Sequence, residues 1–488
     1  MIRFHQCYRN FLLLGIVSWD KTKPITGDNI STSLITKKCK EKKDMSKEAL
    51  DRAKKYTLFS FTGYTQKEYK PFYIEKADGI RVWDDMGKEY IDLGSQLVNV
   101  NIGHNNKAVI KAVQEQVEKL SYVAPKHAFD RRGELGEIII EELAPKNAGK
   151  VLFTLGGSDA NEFAIRFAKA YTGRDKIFSK YESYHGGTYG ASCLTGEPDR
   201  ASLFPTIPGF IKFEAPHLYG YDIKFKTEEE ATKHFLNRLE YQIIQEGPEK
   251  IAALFIESVP GSNGVYQYPK GYLKGVREIT RKYGILFVAD EVMAGFLRSG
   301  EWFAIEREEV EPDIITFAKG VNSSYAPLGG VIISKEISDY YDENPFTAGL
   351  TYNAHPVGIA AAIGCINEYK RLGIREHVLE LEPYLKEKLA EIKEKHVSVG
   401  DVRSIGLFGA IEFSYSKETR EIIETTKDGK PFLNTFLAYL REKGILTFGG
   451  GSHILIAPPL IITKEEIDEV FEKLDDAIDY VDEIVTGD

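Results

Sequence analysis

Six short segments, "KVLFTLGG", "KIFSKY", "IAALFIESV", "GILFVADEV", "DIITFAKG" and "GGVIIS", constrain the fold more than any other feature of the chain. Each is apolar at consecutive rather than alternate positions. A strand apolar on both faces must be covered on both faces, which places these segments in a parallel or mixed sheet with helices above and below. "DANEFAIRFAKAYTG" supplies one such helix, with Phe163, Phe167 and Ala170 on one side and Gly173 as its stop. The expectation is an α/β domain with a mostly parallel central sheet.

Residues flanking this region read differently. Residues 74–93 alternate apolar and polar around Asp78-Gly79 and Met86-Gly87, which predicts a small antiparallel meander. Residues 106–120 predict a helix with Val109, Val113, Val117 and Leu120 on its inner face. "VGDVRSIGLFGAIEFSY" has strand character. The last helix starts at Thr463, which stands at capping-box spacing from Glu466, and carries an inner stripe of Ile467, Val470, Phe471, Leu474, Ile478 and Val481. Residues 45–95 and 365–484 are expected to form a smaller α+β domain, and residues 96–364 the large one. Residues 1–44 open with Arg3 and Arg9 ahead of a short apolar core, the outline of a weak signal peptide, but no small-x-small cleavage site follows. They read as a poorly ordered or non-native extension, with Met45 beginning the folded part.

Bulk properties narrow the function. A chain of 488 residues with a net charge of −10 does not carry a broad nucleic-acid footprint. There is no apolar run of membrane-spanning length. The 4 cysteines are too few and scattered for a disulfide framework or a zinc site, so a reducing, cytoplasmic setting is expected.

Two of the apolar strands end in charge: "ILFVA" runs into Asp290-Glu291 and "IITFA" into Lys319. Ligands of open α/β sheets bind at strand C-termini, so Asp290 and Lys319 should face one crevice. They could form an ion pair that only neutralises itself, although such pairs are seldom retained for stability. Alternatively, each charge addresses a different atom of a bound cofactor. An acid suits a protonated pyridine nitrogen, and a lysine in a dry pocket suits an aldehyde, with which it forms a Schiff base. "TLGGSDANE" offers a phosphate seat, where N–H groups of Gly157 and Ser158 and the helix dipole would hold a dianion. Such turns also close strands for steric reasons alone. In "SYHGGTYGA", Tyr184 could lie flat on an aromatic cofactor or simply pack in the core. His185 has no second His or Cys at ligand spacing, so no metal site is read here.

Taken together, "SDANEFAIRFAKAYTGRDKI", "YESYHGGTYGAS", "ADEVMAGFLRSGEWFA", "ITFAKGVNSSYAPLGGVI" and "GLTYNAHP" resemble the class III aminotransferases, enzymes of fold type I that depend on pyridoxal 5′-phosphate. The similarity runs from about residue 50 to about residue 484, and "GSQLVNVNIGH", "DEVMAGF" and "FAKGVNS" are closest to the taurine:2-oxoglutarate aminotransferase subgroup. The resemblance implies that Lys319 is the Schiff-base lysine and proton shuttle, and that Asp290 pairs with the pyridinium nitrogen. It implies that Val292 and Tyr184 cover the two ring faces, that Gly157 and Ser158 take the phosphate, and that Glu257 lies near the cofactor hydroxyl. Thr351 would reach the phosphate of a neighbouring subunit, which implies a homodimer or larger homo-oligomer. The implied reaction is a ping-pong transfer from an ω-amino donor, taurine first, to 2-oxoglutarate or pyruvate. The alternatives are a β-alanine or 4-aminobutyrate aminotransferase, an amino-acid epimerase, or a dialkylglycine-type decarboxylase. A nucleotide-binding oxidoreductase is disfavoured because no strand is followed by G-x-G-x-x-G. A non-catalytic scaffold would have no use for Lys, Asp and a phosphate turn together.

Two departures from the family pattern stand out. Met293 replaces a glutamine found in many members, and no arginine precedes the "PPL" element, where His453 lies nearby. Arg403 and Arg298 are the candidates for holding the acceptor carboxylates.

Overall fold

The computed structural model describes residues 45–62, 65–197, 207–220 and 223–487, so the expectation for residues 1–44 lies outside the described residues. The chain divides into two compact units, one ending at Ile91 and one spanning Asp92–Asp488.

The first unit holds a helix over residues 45–56 and the expected meander. Strands β1 (Lys76–Asp78), β2 (Arg81–Trp83) and β3 (Glu89–Asp92) pair antiparallel, with Ala77 opposite Val82 and Val82 opposite Tyr90. Asp84 shapes the second turn by accepting from the N–H groups of Met86 and Lys88 at 2.9 and 2.8 Å.

The second unit is built on a seven-stranded sheet. Its strands are β4 (Ala148–Thr154), β5 (Lys176–Lys180), β6 (Phe210–Phe213), β7 (Ile251–Glu257), β8 (Leu286–Asp290), β9 (Ile314–Phe317) and β10 (Gly329–Ser334), in the spatial order β4-β10-β9-β8-β7-β5-β6. Every neighbouring pair is parallel except the two made by β10, which runs antiparallel to β4 and β9. Burial explains the doubly apolar runs. Along β7 and β8, Leu254, Ile256, Phe287 and Ala289 enter one core, while Ala253, Phe255 and Val288 enter a second core with Phe163 and Phe167. Those two phenylalanines come from the helix Gly157–Thr172, which Gly173 ends in a left-handed turn (φ 66°). A covered mixed sheet is therefore what the apolar runs form, matching the expected α/β class.

Beyond it lie β11 (Val399–Ile405), β12 (Phe408–Phe413), the two-residue strands β13 (Ile445–Leu446) and β14 (Gly449–Gly450), and β15 (His453–Ile456). Strands β11, β12, β15 and β14 form an antiparallel sheet in that order. The final helix, Lys464–Thr486, has the expected capping box of Thr463 and Glu466, and its six stripe residues are all buried.

One expected face is corrected. The helix Lys107–Lys119 buries Val109 and Gln116, whereas Val117 is 48% exposed and Leu120 lies beyond the helix end. The face that packs runs through Val109 and Ala112, which lie against Gly364 of the helix Pro356–Arg371. Positions 109, 112 and 116 share a stripe at helical spacing, and position 117 is rotated away from it. Ala170 likewise sits on the exposed side of its helix. Among the described residues no helix is long and apolar enough to cross a membrane.

Candidate active site

The sheet brings four buried or partly buried charges to its C-terminal edge. In the order β9-β8-β7-β5 the strand ends carry Lys319, Asp290, Glu257 and Lys180. Glu257 is registered to Asp290 and Asp290 to Thr316, so these ends are immediate neighbours. Lys319 lies two residues beyond β9 in the left-handed region (φ 45°), a conformation a lysine adopts only when its surroundings enforce it.

Asp290 is 4% exposed and fully engaged. Its Oδ1 accepts from the N–H of Val292 at 3.0 Å. Its Oδ2 accepts from Asn161 Nδ2 at 2.8 Å and from His185 Nδ1 at 2.7 Å. Asn161 is itself fixed, donating to the carbonyl of His185 at 2.7 Å and accepting from Thr316 Oγ1 at 2.9 Å. His185 Nε2 is buried and has no hydrogen-bond partner among the described residues. One carboxylate is thus clamped by groups from a helix and two loops, with Thr316 of β9 steadying Asn161. As site residues, His185 and Asn161 come from the structure and not from the sequence.

Lys319 has its amine pushed down to about 8 by burial, against the pull of Asp290 and Glu257 in the other direction. An amine so tuned is partly neutral near physiological pH and can act as a nucleophile or base. Burial raises the Glu257 carboxyl above its ordinary range, and Lys180 opposes that rise. Lys180 Nζ lies 3.0 Å from Glu257 Oε2, and Glu257 Oε1 accepts from the N–H of Tyr184 at 3.4 Å.

The glycine turn is a close three-way contact. Ser158, in the first turn of Gly157–Thr172, accepts at Oγ from the N–H of Gly187 at 3.1 Å. A side-chain carbon on Gly186 (φ 133°) would fall 2.4 Å from that Oγ, and one on Gly157 would fall 2.7 and 2.8 Å from the two methyls of Val292. Glycine is required at both places for the loop and Val292 to close on the helix start. Tyr184 and Val292 are both partly buried beside this turn. The donor set fits pyridoxal phosphate: an amine of low basicity for its aldehyde, a clamped carboxylate for its ring nitrogen, and a helix N-terminus with a hydroxyl for its phosphate.

Thr351 is not brought into this cluster. It is exposed, and its carbonyl accepts from Tyr122 Oη at 2.9 Å. Of the two arginines read as carboxylate candidates, Arg298 is fully buried and donates to the carbonyl of Leu407 at 2.9 Å, to Asn101 Oδ1 at 2.9 Å and to the carbonyl of Pro458, which makes it a structural brace. Arg403 is ion-paired to Glu412 and lies 3.4 Å from Asp401. Met293 packs with Val259 and Phe408 in an apolar cluster, its sulfur so close to Gly261 that a side-chain carbon there would be 2.2 Å away.

A mixed sheet of this order, with a reactive lysine and a clamped aspartate on adjacent strand ends and a glycine turn ahead of them, defines a fold type I enzyme dependent on pyridoxal phosphate. Residues 64–478 match the family described as aminotransferase class-III. In solved structures, the chain superposes on the taurine:2-oxoglutarate aminotransferase of Bifidobacterium kashiwanohense, solved with PLP and glutamate, with a TM-score of 0.86 and 40% identity, covering 90% of this chain and 98% of that one. It also superposes on an (S)-enantioselective omega-transaminase of Thermomicrobium roseum, with a TM-score of 0.85 and 34% identity, covering 89% and 99%. By sequence it is 32% identical over 450 residues to a probable gamma-aminobutyrate transaminase 3 of Oryza sativa subsp. indica, covering 87% of this chain and 86% of the relative. The chain belongs to the class III aminotransferases and uses pyridoxal phosphate.

Proposed function

We propose that this aminotransferase takes the amino group of an ω-amino compound, taurine first, and passes it to 2-oxoglutarate or pyruvate by a ping-pong mechanism. The observation that carries this reading is the 40% identity, across nearly the whole of both chains, to a taurine:2-oxoglutarate aminotransferase. The gamma-aminobutyrate transaminases at 32% identity support a second reading, in which 4-aminobutyrate or β-alanine is the donor.

When bound, pyridoxal phosphate withdraws the electrons left as a proton departs from the amine-bearing carbon, and it carries the amino group between substrates. The chain's residues set this up. Gly157 and Ser158 would hold the phosphate at the helix start. Asp290, clamped by Asn161, His185 and Val292, would serve the ring nitrogen. Val292 and Tyr184 would flank the ring, and Glu257 would serve its hydroxyl. Lys319 would hold the aldehyde and, as a neutral amine, move the proton at its Nζ. Thr351, exposed on its own subunit, completes a neighbouring subunit's phosphate seat, so the working assembly is a homodimer or larger, in a cytoplasmic setting. Residues 45–95 and 365–484 act as the smaller domain of each subunit.

The test is a panel of half-reactions. Purified enzyme loaded with cofactor is mixed in turn with taurine, β-alanine, 4-aminobutyrate, a diamine and alanine, and the cofactor spectrum is followed. Conversion by taurine supports the first reading, and conversion by 4-aminobutyrate or β-alanine without taurine supports the second. Conversion by alanine alone overturns both. Lys319→Ala is expected to lose the long-wavelength absorbance of bound cofactor together with turnover, and full activity in that variant would refute the role given to Lys319.

A further inference from the structure

The crevice contains one buried cation to which the transfer chemistry assigns no task. Lys180 closes β5 with no exposed side-chain surface, and its ammonium meets Glu257 Oε2 at 3.0 Å and the carbonyl of Glu182. The ring of Tyr266 lies over it, 5.2 Å from the ammonium. The Glu182 carboxylate, 2.8 Å from His217 Nδ1, attracts Lys180 and the Lys212 ammonium repels it, but neither closes a pair with it. Among the described residues Glu257 is therefore the one carboxylate paired with Lys180.

Such a pair is a poor source of stability, because stripping water from two charges costs about as much as their attraction returns. Its position suggests another purpose. The other ionisable groups that bear on Glu257 include His185 from the loop after β5, Asp290 from β8, and the buried phenols of Tyr266 and Tyr268. Glu257 in turn acts on Lys319 beyond β9, and its carbonyl is fixed by Tyr268 Oη at 2.8 Å. Two carboxylates at adjacent strand ends repel each other, and burial favours neutralising one of them. With β7 lying between β5 and β8, Lys180 stands on the far side of Glu257 from Asp290.

We propose that Lys180 is a positioning residue of the aminotransferase site: it keeps Glu257 anionic and fixed beside Asp290, so that Lys319 faces two carboxylates rather than one. The proposal rests on reading this crevice as the pyridoxal-phosphate seat. Lys180 touches no reacting atom and works through Glu257.

The experiment follows cofactor uptake, not turnover. Cofactor-free enzyme is mixed with pyridoxal phosphate at a series of pH values, and the rate of appearance of bound-cofactor absorbance gives a midpoint that reports the Lys319 amine. Glu257→Gln should lower that midpoint by about one pH unit, since an anion is lost near the amine. Lys180→Met should lower it by a similar amount, the double variant should lower it no further, and Lys180→Arg should restore the wild-type value. A wild-type midpoint in Lys180→Met, or two shifts that add in the double variant, would overturn the proposal. Should Lys180→Met not fold, Lys180→Gln takes its place: a midpoint lowered as in Glu257→Gln supports the proposal and a wild-type midpoint overturns it. A wild-type enzyme that takes up no cofactor overturns the reading of the site itself, and the proposal with it. Normal uptake with an unmoved Lys180→Met midpoint strikes Lys180 alone.

Discussion

Replacing the reactive lysine should make the cofactor-free protein more stable at neutral pH. In the fold, burial lowers the Lys319 amine from 10.5 to about 8. A tenfold change in proton affinity corresponds to about 1.4 kcal/mol, so enclosing the protonated amine costs the fold about 3 kcal/mol wherever both states carry the proton. Between pH 8 and 10.5 the unfolded chain holds a proton at this position that the folded chain has released, so stability rises with pH through that window. Below pH 8 the full cost is present, and above 10.5 it is gone. Lys319→Met removes the charge while keeping most of the side-chain length, so the variant escapes the cost.

Thermal melts of the two cofactor-free proteins should therefore differ by a few degrees at pH 7, with the variant higher. At about pH 9.5 the difference should shrink to what remains of the window, about 1 kcal/mol. Added pyridoxal phosphate should reverse the order, because tight binding stabilises the wild type in proportion to the logarithm of ligand concentration over Kd. A difference that does not change with pH, or a wild type that melts higher at pH 7 without cofactor, would refute the account of Lys319 as a desolvated amine.

Other residues give sharper tests of geometry and charge. Gly157→Ala drives a carbon to within 2.7 Å of Val292, and should cost about 1–3 kcal/mol and weaken cofactor retention; Val292→Ala in the same chain should recover most of both, measured by melts and by dialysis against buffer. Asn161→Leu removes a donor to Asp290 and should weaken pyridoxal-phosphate affinity by about ten- to a hundredfold, read by equilibrium titration; unchanged affinity would remove Asn161 from the clamp. Glu291 is fully buried, and burial pushes its carboxyl up to about 7, so its contribution to stability is full below about 4.5 and is lost as pH rises through 7. Glu291→Gln should flatten the stability profile across that interval, as followed by urea midpoints.

Much of this site is legible in the sequence because a charge ending an apolar strand is conspicuous. Asp290 and Lys319 stand out that way, and the doubly apolar strands carry the fold class with them. The same rule applied to "KIFSKY" marks Lys180, which ends β5 as Lys319 follows β9, although the aromatic Tyr184 four residues on is the more prominent feature there. His185 shows a different limit. It has no neighbour at ligand spacing and so carries no signal of its own, yet its partner is Asp290, 105 positions away in sequence and joined to it only by the sheet. Asn161 lies just past the first turn of its helix, where a buried amide looks like any polar helix residue. Val117 fails for a simpler reason: spacing by four residues drifts around a helix, and which stripe packs is decided by the partner, here the helix Pro356–Arg371.

The two cations at the sheet edge are not equivalent, and the difference bears on which one can react. Lys180 is closed into an ion pair with Glu257 Oε2 at 3.0 Å. No ion pair joins Lys319 to a carboxylate among the described residues, although Asp290 stands on the next strand. Val292, Asn161 and His185 fix the direction of the Asp290 carboxylate while leaving it an acceptor position free on Oδ1. A carboxylate held in direction attracts the ammonium without closing on it in the salt bridge that would raise the amine's pKa. An amine attracted by a carboxylate but not bonded to it lies near 8, where burial leaves a lysine able to exchange its proton close to neutral pH.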